Sequence, residues 1–130
     1  MPITAVYASL LALLFMVLSV RVIGRRRVVR IGLGEGGDAT LLRRVRVHAN
    51  FAEYVPLCLI LIGLAESLRT PALLLHGLGS LLLAARLSHA YGVSRQPETF
   101  AWRVAGVMGT LTVLGLAAGL CLYSAARSVG

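Results

Sequence analysis

Arg43-Arg44-Val45-Arg46-Val47-His48-Ala49-Asn50-Phe51-Ala52-Glu53-Tyr54-Val55-Pro56 runs without interruption into the apolar segment Leu57 to Leu68. Nowhere else does the chain pack cations, an amide, an imidazole and a carboxylate into a segment that then becomes an apolar helix. Each helical residue turns about 100°, so Arg43, Arg46, Asn50 and Glu53 share one stripe, with Tyr54 and Leu57 beside it. His48 falls on roughly the opposite side. Two guanidinium forks, an amide and a carboxylate on one stripe suit a small zwitterionic ligand. The same groups also suit a polar network that only ties membrane helices together, and spacing alone leaves both readings open.

The chain around this stretch is too apolar to be solvated by water. Hydrophobic residues make up 58% of the 130 positions, charged residues only 14%, and the mean hydropathy is +0.83. Globular chains sit nearer about half apolar and about a quarter charged. A chain of this length holds one domain (residues 1–130) with at most four or five spans of about 20 residues. The reading is an all-α integral membrane protein, a bundle of four transmembrane helices over about 3–23, 40–68, 72–91 and 100–124.

Ile3 to Ile23 is the first span. Arginines follow it rather than precede it, which is the order of a stop-transfer segment and not of a signal peptide. Residues 24–39 read as a basic, glycine-rich loop. It lacks the Gly-Lys-Ser/Thr ending and the preceding strand of a phosphate loop, so a turn is expected, with Asp38 placed to cap the next helix. Pro56 predicts a kink or a freed carbonyl near the polar stripe. Arg69-Thr70-Pro71 permits only a tight antiparallel connection. Helix three ends with Arg86 and His89 on one face, and His76 near its start reads as a packing or interfacial histidine. Trp102 and Arg103 open helix four at the membrane boundary. Gly115-x-x-x-Gly119 permits close backbone approach.

All thirteen cationic side chains are arginine, and the formal net charge is +8. They cluster at the ends of apolar runs, which fits membrane topology and anionic headgroups rather than nucleic acid. Seven lie between residues 24 and 46, and Arg95 and Arg103 join them on the same side, against Arg69 and Arg127 on the other. The positive-inside rule then puts both basic loops in the cytoplasm and both termini outside, as in a bacterial inner-membrane protein. Cys58 and Cys121 have neither metal-ligand spacing nor a disulfide framework and read as small apolar side chains. No metal site is expected.

Ionisable groups at membrane depth cost several kcal/mol unless paired or hydrated, so Arg46, Asn50, Glu53, Arg86, His89 and Arg103 are functional candidates. One small bundle can hardly shield them all, which argues for an oligomer with polar groups at subunit boundaries.

The pattern Arg43-x-x-Arg46-x-His48-x-Asn50-x-x-Glu53, followed by Pro56, resembles the signature of the MAPEG family (membrane-associated proteins in eicosanoid and glutathione metabolism), in a bacterial-type member. Arg86-x-x-His89 and Arg103 fit the same pattern. The resemblance implies a homotrimer with glutathione bound between neighbouring subunits near the cytoplasmic side. It implies that Arg43, Arg46, His48, Asn50, Glu53, Arg86, His89 and Tyr91 line that ligand's site, with Asn50 and Glu53 meeting its peptide and amino groups and arginines its carboxylates. Arg103 matches the arginine beside the thiol sulfur and is the expected catalytic group. Val93 stands where catalytic relatives often carry a tyrosine, Tyr91 being the nearest one, and Val104 where a hydroxyl can follow the arginine. The expected activity is transfer of the glutathione thiolate to hydrophobic electrophiles, or reduction of lipid hydroperoxides. The alternative is a non-catalytic trimer that binds lipid or glutathione and presents it to partners. A small multidrug transporter would need a carboxylate within the first helix, and Ile3 to Ile23 contains none.

Overall fold

The computed structural model describes all residues, Met1–Gly130, as four helices: α1 (Pro2–Val29), α2 (Ala39–Ser67), α3 (Ala72–Ser94) and α4 (Phe100–Val129). All four are long and apolar enough to cross a membrane. Only 25 of 130 residues are buried, so the subunit's outer surface is itself apolar: Leu13, Met16, Val17 and Val20 on α1 and Leu57, Ile60 and Leu64 on α2 all face outwards. Such a surface is stable against lipid, not water. The chain is an all-α, four-span membrane protein.

α2 and α3 form the centre. α1 packs on α2 and α3, and α4 packs on α2 and α3, while α1 and α4 do not meet. The core runs through Leu11 and Leu18 of α1, Val47, Phe51, Val55, Cys58 and Ile62 of α2, Leu75, Leu78 and Leu82 of α3, and Val113 and Ala117 of α4.

α1 outlasts its apolar run. Residues 24–29, expected in the loop, continue the helix, because arginine is a good helix former and its charge is favourable at a helix C-terminus. The turn is confined to the residues between α1 and α2, where Gly34, Gly36 and Gly37 take positive φ (66°, 54° and 80°). Asp38 ends it in two ways. One carboxylate oxygen accepts from the Leu41 amide at 2.7 Å, capping α2, and the carboxylate also receives Arg25 at 3.0 and 2.6 Å. At the other end of α2, Glu66 receives Ile3 N, Thr4 N and Thr4 Oγ1 at 3.0, 2.8 and 2.6 Å. These satisfy amide donors that the first turn of α1 cannot satisfy by itself. α2 continues through Pro56, and both α3 and α4 extend beyond the ends expected for them, to Ser94 and Val129.

α3 and α4 approach most closely, and three glycines allow it. A Cβ on Gly106 would sit 2.5–2.6 Å from His89 Cβ, the His89 amide and the Ala85 carbonyl, and one on Gly109 2.9 Å from Ala85 Cβ. A Cβ on Gly92 would fall on the Arg103 amide. Gly115 and Gly119, by contrast, face open space, so the spacing singled out in the sequence does not join helices within the subunit.

Candidate functional site

The close α3–α4 contact brings the ends of α2, α3 and α4 together around a cavity of about 260 Å³, lined by Ala39, Leu42, Arg43, Arg46, Asn50, His89, Val93, Glu98 and Arg103. Three guanidiniums and one carboxylate therefore face a common space.

Arg86 forms the floor. It is 1% exposed, and its guanidinium donates to Asn50 Oδ1 (2.8 Å), Thr110 Oγ1 (3.2 Å) and His89 Nδ1 (3.3 Å). The Phe51 ring lies 5.7 Å from its carbon. None of these partners is a carboxylate, so the buried charge is met by dipoles and a ring face alone. Two consequences follow from donor chemistry. A guanidinium can only donate, so Nδ1 of His89 is the unprotonated nitrogen and a neutral ring carries its proton on Nε2. Asn50 spends its carbonyl on Arg86, which leaves its amide nitrogen as a donor towards the cavity.

Glu98 forms the rim. It accepts from Arg103 at 2.8 Å and lies 3.5 Å from Arg43, which also donates to the Val93 carbonyl at 3.2 Å. The Arg103 hydrogen bond, opposed by desolvation, holds the Glu98 carboxyl below its ordinary range.

Of the residues expected at one ligand site, Arg43, Arg46, Asn50, His89 and Arg103 line the cavity and Arg86 supports it. Three lie elsewhere. His48 turns to α1, 3.0 Å from Ser19 and stacked on Phe15 at 4.6 Å between ring centroids. Glu53 is exposed on the outer face of α2. Tyr91 is exposed, hydrogen-bonded to Arg95 and edge-on to Trp102. Glu53 leaves the cavity because it sits at the margin of the helical stripe, and an azimuth on one helix does not name the neighbour it faces.

Two site residues escaped the sequence reading. Thr110 was findable: Arg103, Gly106 and Thr110 follow the i, i+3, i+7 stripe of α4. Glu98 was not, because it projects from a loop, where no periodicity applies.

A bundle of four apolar helices, with three arginines gathered at one cavity between the ends of α2, α3 and α4, defines an integral membrane protein with a cationic cavity. The chain belongs to the MAPEG family, whose match covers residues 4–123. It is similar to "Inner membrane protein YecN" of Escherichia coli strain K12, 36% identical over 112 residues, or 86% of this chain and 84% of that protein. The protein of the same name from strain O6:H1 matches to the same extent. That name agrees with an integral membrane protein of the inner membrane.

Proposed function

We propose that the cavity binds a thiol tripeptide of the glutathione type and that Arg103 holds its sulfur as thiolate for attack on a hydrophobic electrophile or lipid hydroperoxide. The observation that carries this reading is the convergence of Arg43, Arg46 and Arg103 on one cavity with the Asn50 amide. Arg43 and Arg46 suit the ligand's carboxylates through fork geometry, and the Asn50 amide suits a peptide carbonyl. Only thiolate is nucleophilic, and an adjacent guanidinium lowers a thiol's pKa from about 8.5. In conjugation the sulfur forms the new bond to the electrophilic carbon while the leaving group, halide in an aryl halide, departs with the electron pair of its own bond. With a hydroperoxide the thiolate takes the terminal oxygen as the O–O bond breaks, the lipid leaves as its alcohol, and a second glutathione reduces the resulting sulfenic acid to disulfide and water. No side-chain base is needed if the thiol proton passes to water, since a guanidinium stays protonated at any working pH.

The assembly that fits this reading is a homotrimer with the basic loops in the cytoplasm and both termini outside. Glu53, exposed halfway along α2, supports it. A carboxylate facing lipid at that depth is costly, whereas a neighbouring subunit or its ligand could partner it. A mass measurement on the intact complex in mild detergent should give three chains, and a monomer that binds ligand fully would refute the assembly.

The test of chemistry is the far-ultraviolet thiolate absorbance of bound glutathione against pH. Arg103→Leu should raise the apparent pKa and depress turnover of an aryl halide, with binding much less affected. An unchanged titration removes Arg103 from the mechanism. A second reading, ligand binding without catalysis, is favoured by Val93 in the cavity wall and by Glu98 already pairing Arg103. Tight glutathione binding with no thiolate signal at neutral pH would select it.

A further inference from the structure

Beside the main cavity lies a smaller one of about 150 Å³, lined by Arg21, Thr40, Arg43, Arg44, Ser94 and Gln96, with no apolar side chain among them. Three helices supply it: the end of α1, the first turns of α2 and the end of α3, together with the loop that follows. Its arginines are all half-buried. Arg21 donates to Ser94 Oγ at 3.2 Å, and Arg44 donates to the Arg21 carbonyl at 2.9 Å. Arg44 Nε is buried without any hydrogen-bond partner.

No carboxylate lines this cavity, and neither Arg21 nor Arg44 forms an ion pair. Asp38 is held by Arg25 at 2.6 Å and feels Arg44 only at longer range, while Glu98, paired with Arg103 at 2.8 Å, reaches Arg43 alone of these arginines, at 3.5 Å. Arg21 and Arg44 therefore stand as neighbouring, partly desolvated cations with neutral partners only, an arrangement that repels itself until an anion enters. Water takes up about 30 Å³ per molecule in the liquid, so the space has room for a compact oxyanion together with a few waters. Three guanidiniums from α1 and α2, with hydroxyls of Thr40 and Ser94 and the Gln96 amide, outnumber the acceptor sites of a carboxylate. They suit a tetrahedral group with several oxygens, and arginine forks match phosphate geometry.

We infer that this second cavity is a binding site for a phosphate-class oxyanion, separate from the proposed thiol pocket and sharing only Arg43 with it. The inference does not depend on the thiol reading. The phosphate can belong to a free phosphorylated solute or to a phospholipid headgroup at the membrane surface.

The experiment uses the full chain in an uncharged detergent. Inorganic phosphate is titrated calorimetrically at ionic strength held constant with chloride. In a parallel arm, phosphatidylglycerol retention is read by mass measurement of the intact complex. Saturable binding of one phosphate per chain identifies a soluble oxyanion. Retention of phosphatidylglycerol without phosphate binding identifies a headgroup. In either case Arg44→Gln and Arg21→Gln should each weaken binding by about tenfold or more, while Arg103→Leu leaves it unchanged. Phenylglyoxal labelling of the unaltered protein, read by peptide mass spectrometry, serves if either variant fails to assemble. The ligand that binds should protect Arg21 and Arg44, and equal ionic strength as chloride should not. Absence of binding in both arms overturns the inference. So do unprotected Arg21 and Arg44, or binding lost in Arg103→Leu but retained in Arg44→Gln.

Discussion

Arg86 and Asn50 meet across the α2–α3 interface, guanidinium to amide oxygen at 2.8 Å, with no carboxylate on Arg86. A buried cation held only by neutral acceptors is asymmetric to mutation. Asn50→Leu strips Arg86 of an acceptor and should lower stability by about 1–3 kcal/mol. Arg86→Met removes the charge itself, so stability should hold or rise while glutathione binding drops. Thermal unfolding in detergent, with and without glutathione, reads both. Equal losses for the two variants would show that Arg86 is not a net cost to the fold.

The α3–α4 approach makes a second contrast. Gly106→Ala places a methyl against His89 and the Ala85 carbonyl, backbone that cannot move aside cheaply. It should cost about 1–3 kcal/mol and disturb the cavity, since His89 lines it. Gly115→Ala meets nothing within the subunit and should stay within about 0.5 kcal/mol. A comparable loss for Gly115→Ala would reveal that this glycine touches a neighbouring subunit.

Stability should depend on acid through two loop carboxylates. The carboxyls of Asp38 and Glu98 are held below their ordinary values of 3.8 and 4.5 by hydrogen bonds from Arg25 and Arg103 respectively. A depressed folded-state value contributes stability that is complete above the unfolded value and is lost as pH falls through the folded one. The apparent Tm should therefore be flat above about pH 5 and decline below about pH 4. The double variant Asp38→Asn, Glu98→Gln should show a shallower decline. An identical acid profile would exclude both pairs from the fold's pH response.

Glu98 also tunes the proposed chemistry, with a sign opposite to Arg103→Leu. Glu98→Gln leaves Arg103 without its counter-charge, so the bound thiol's apparent pKa should fall by about one unit or less. The same thiolate titration measures it. A rise in apparent pKa would mean that Glu98 orients Arg103 rather than neutralising it.

Much of this was legible in the chain. Four spans follow from apolar runs bounded by arginines, because a helix that satisfies its own backbone hydrogen bonds can cross lipid wherever its side chains are apolar. The capping role of Asp38 follows from residue type and position. Arg43, Arg46 and Asn50 share a stripe because 3.6 residues complete a turn.

What stayed hidden depends on which helix stands next to which. His48 and Asn50 differ by two residues, yet one stacks on Phe15 of α1 and the other meets Arg86 of α3. Glu66 caps the start of α1 from 62 and 63 residues away, a contact no local pattern announces.

The sequence by itself determined the class of protein, the number of spans and the polar groups available at one end of the bundle. Hydropathy and helical period are local properties, and they survive without knowledge of neighbours. Only the tertiary structure decided the cavity. Gly92, Gly106 and Gly109 let α3 and α4 close until His89 and Arg103 line one space above Arg86, and the chain after α3 then brings Glu98 to its rim. That outcome depends on how closely two backbones approach, a distance no single segment encodes.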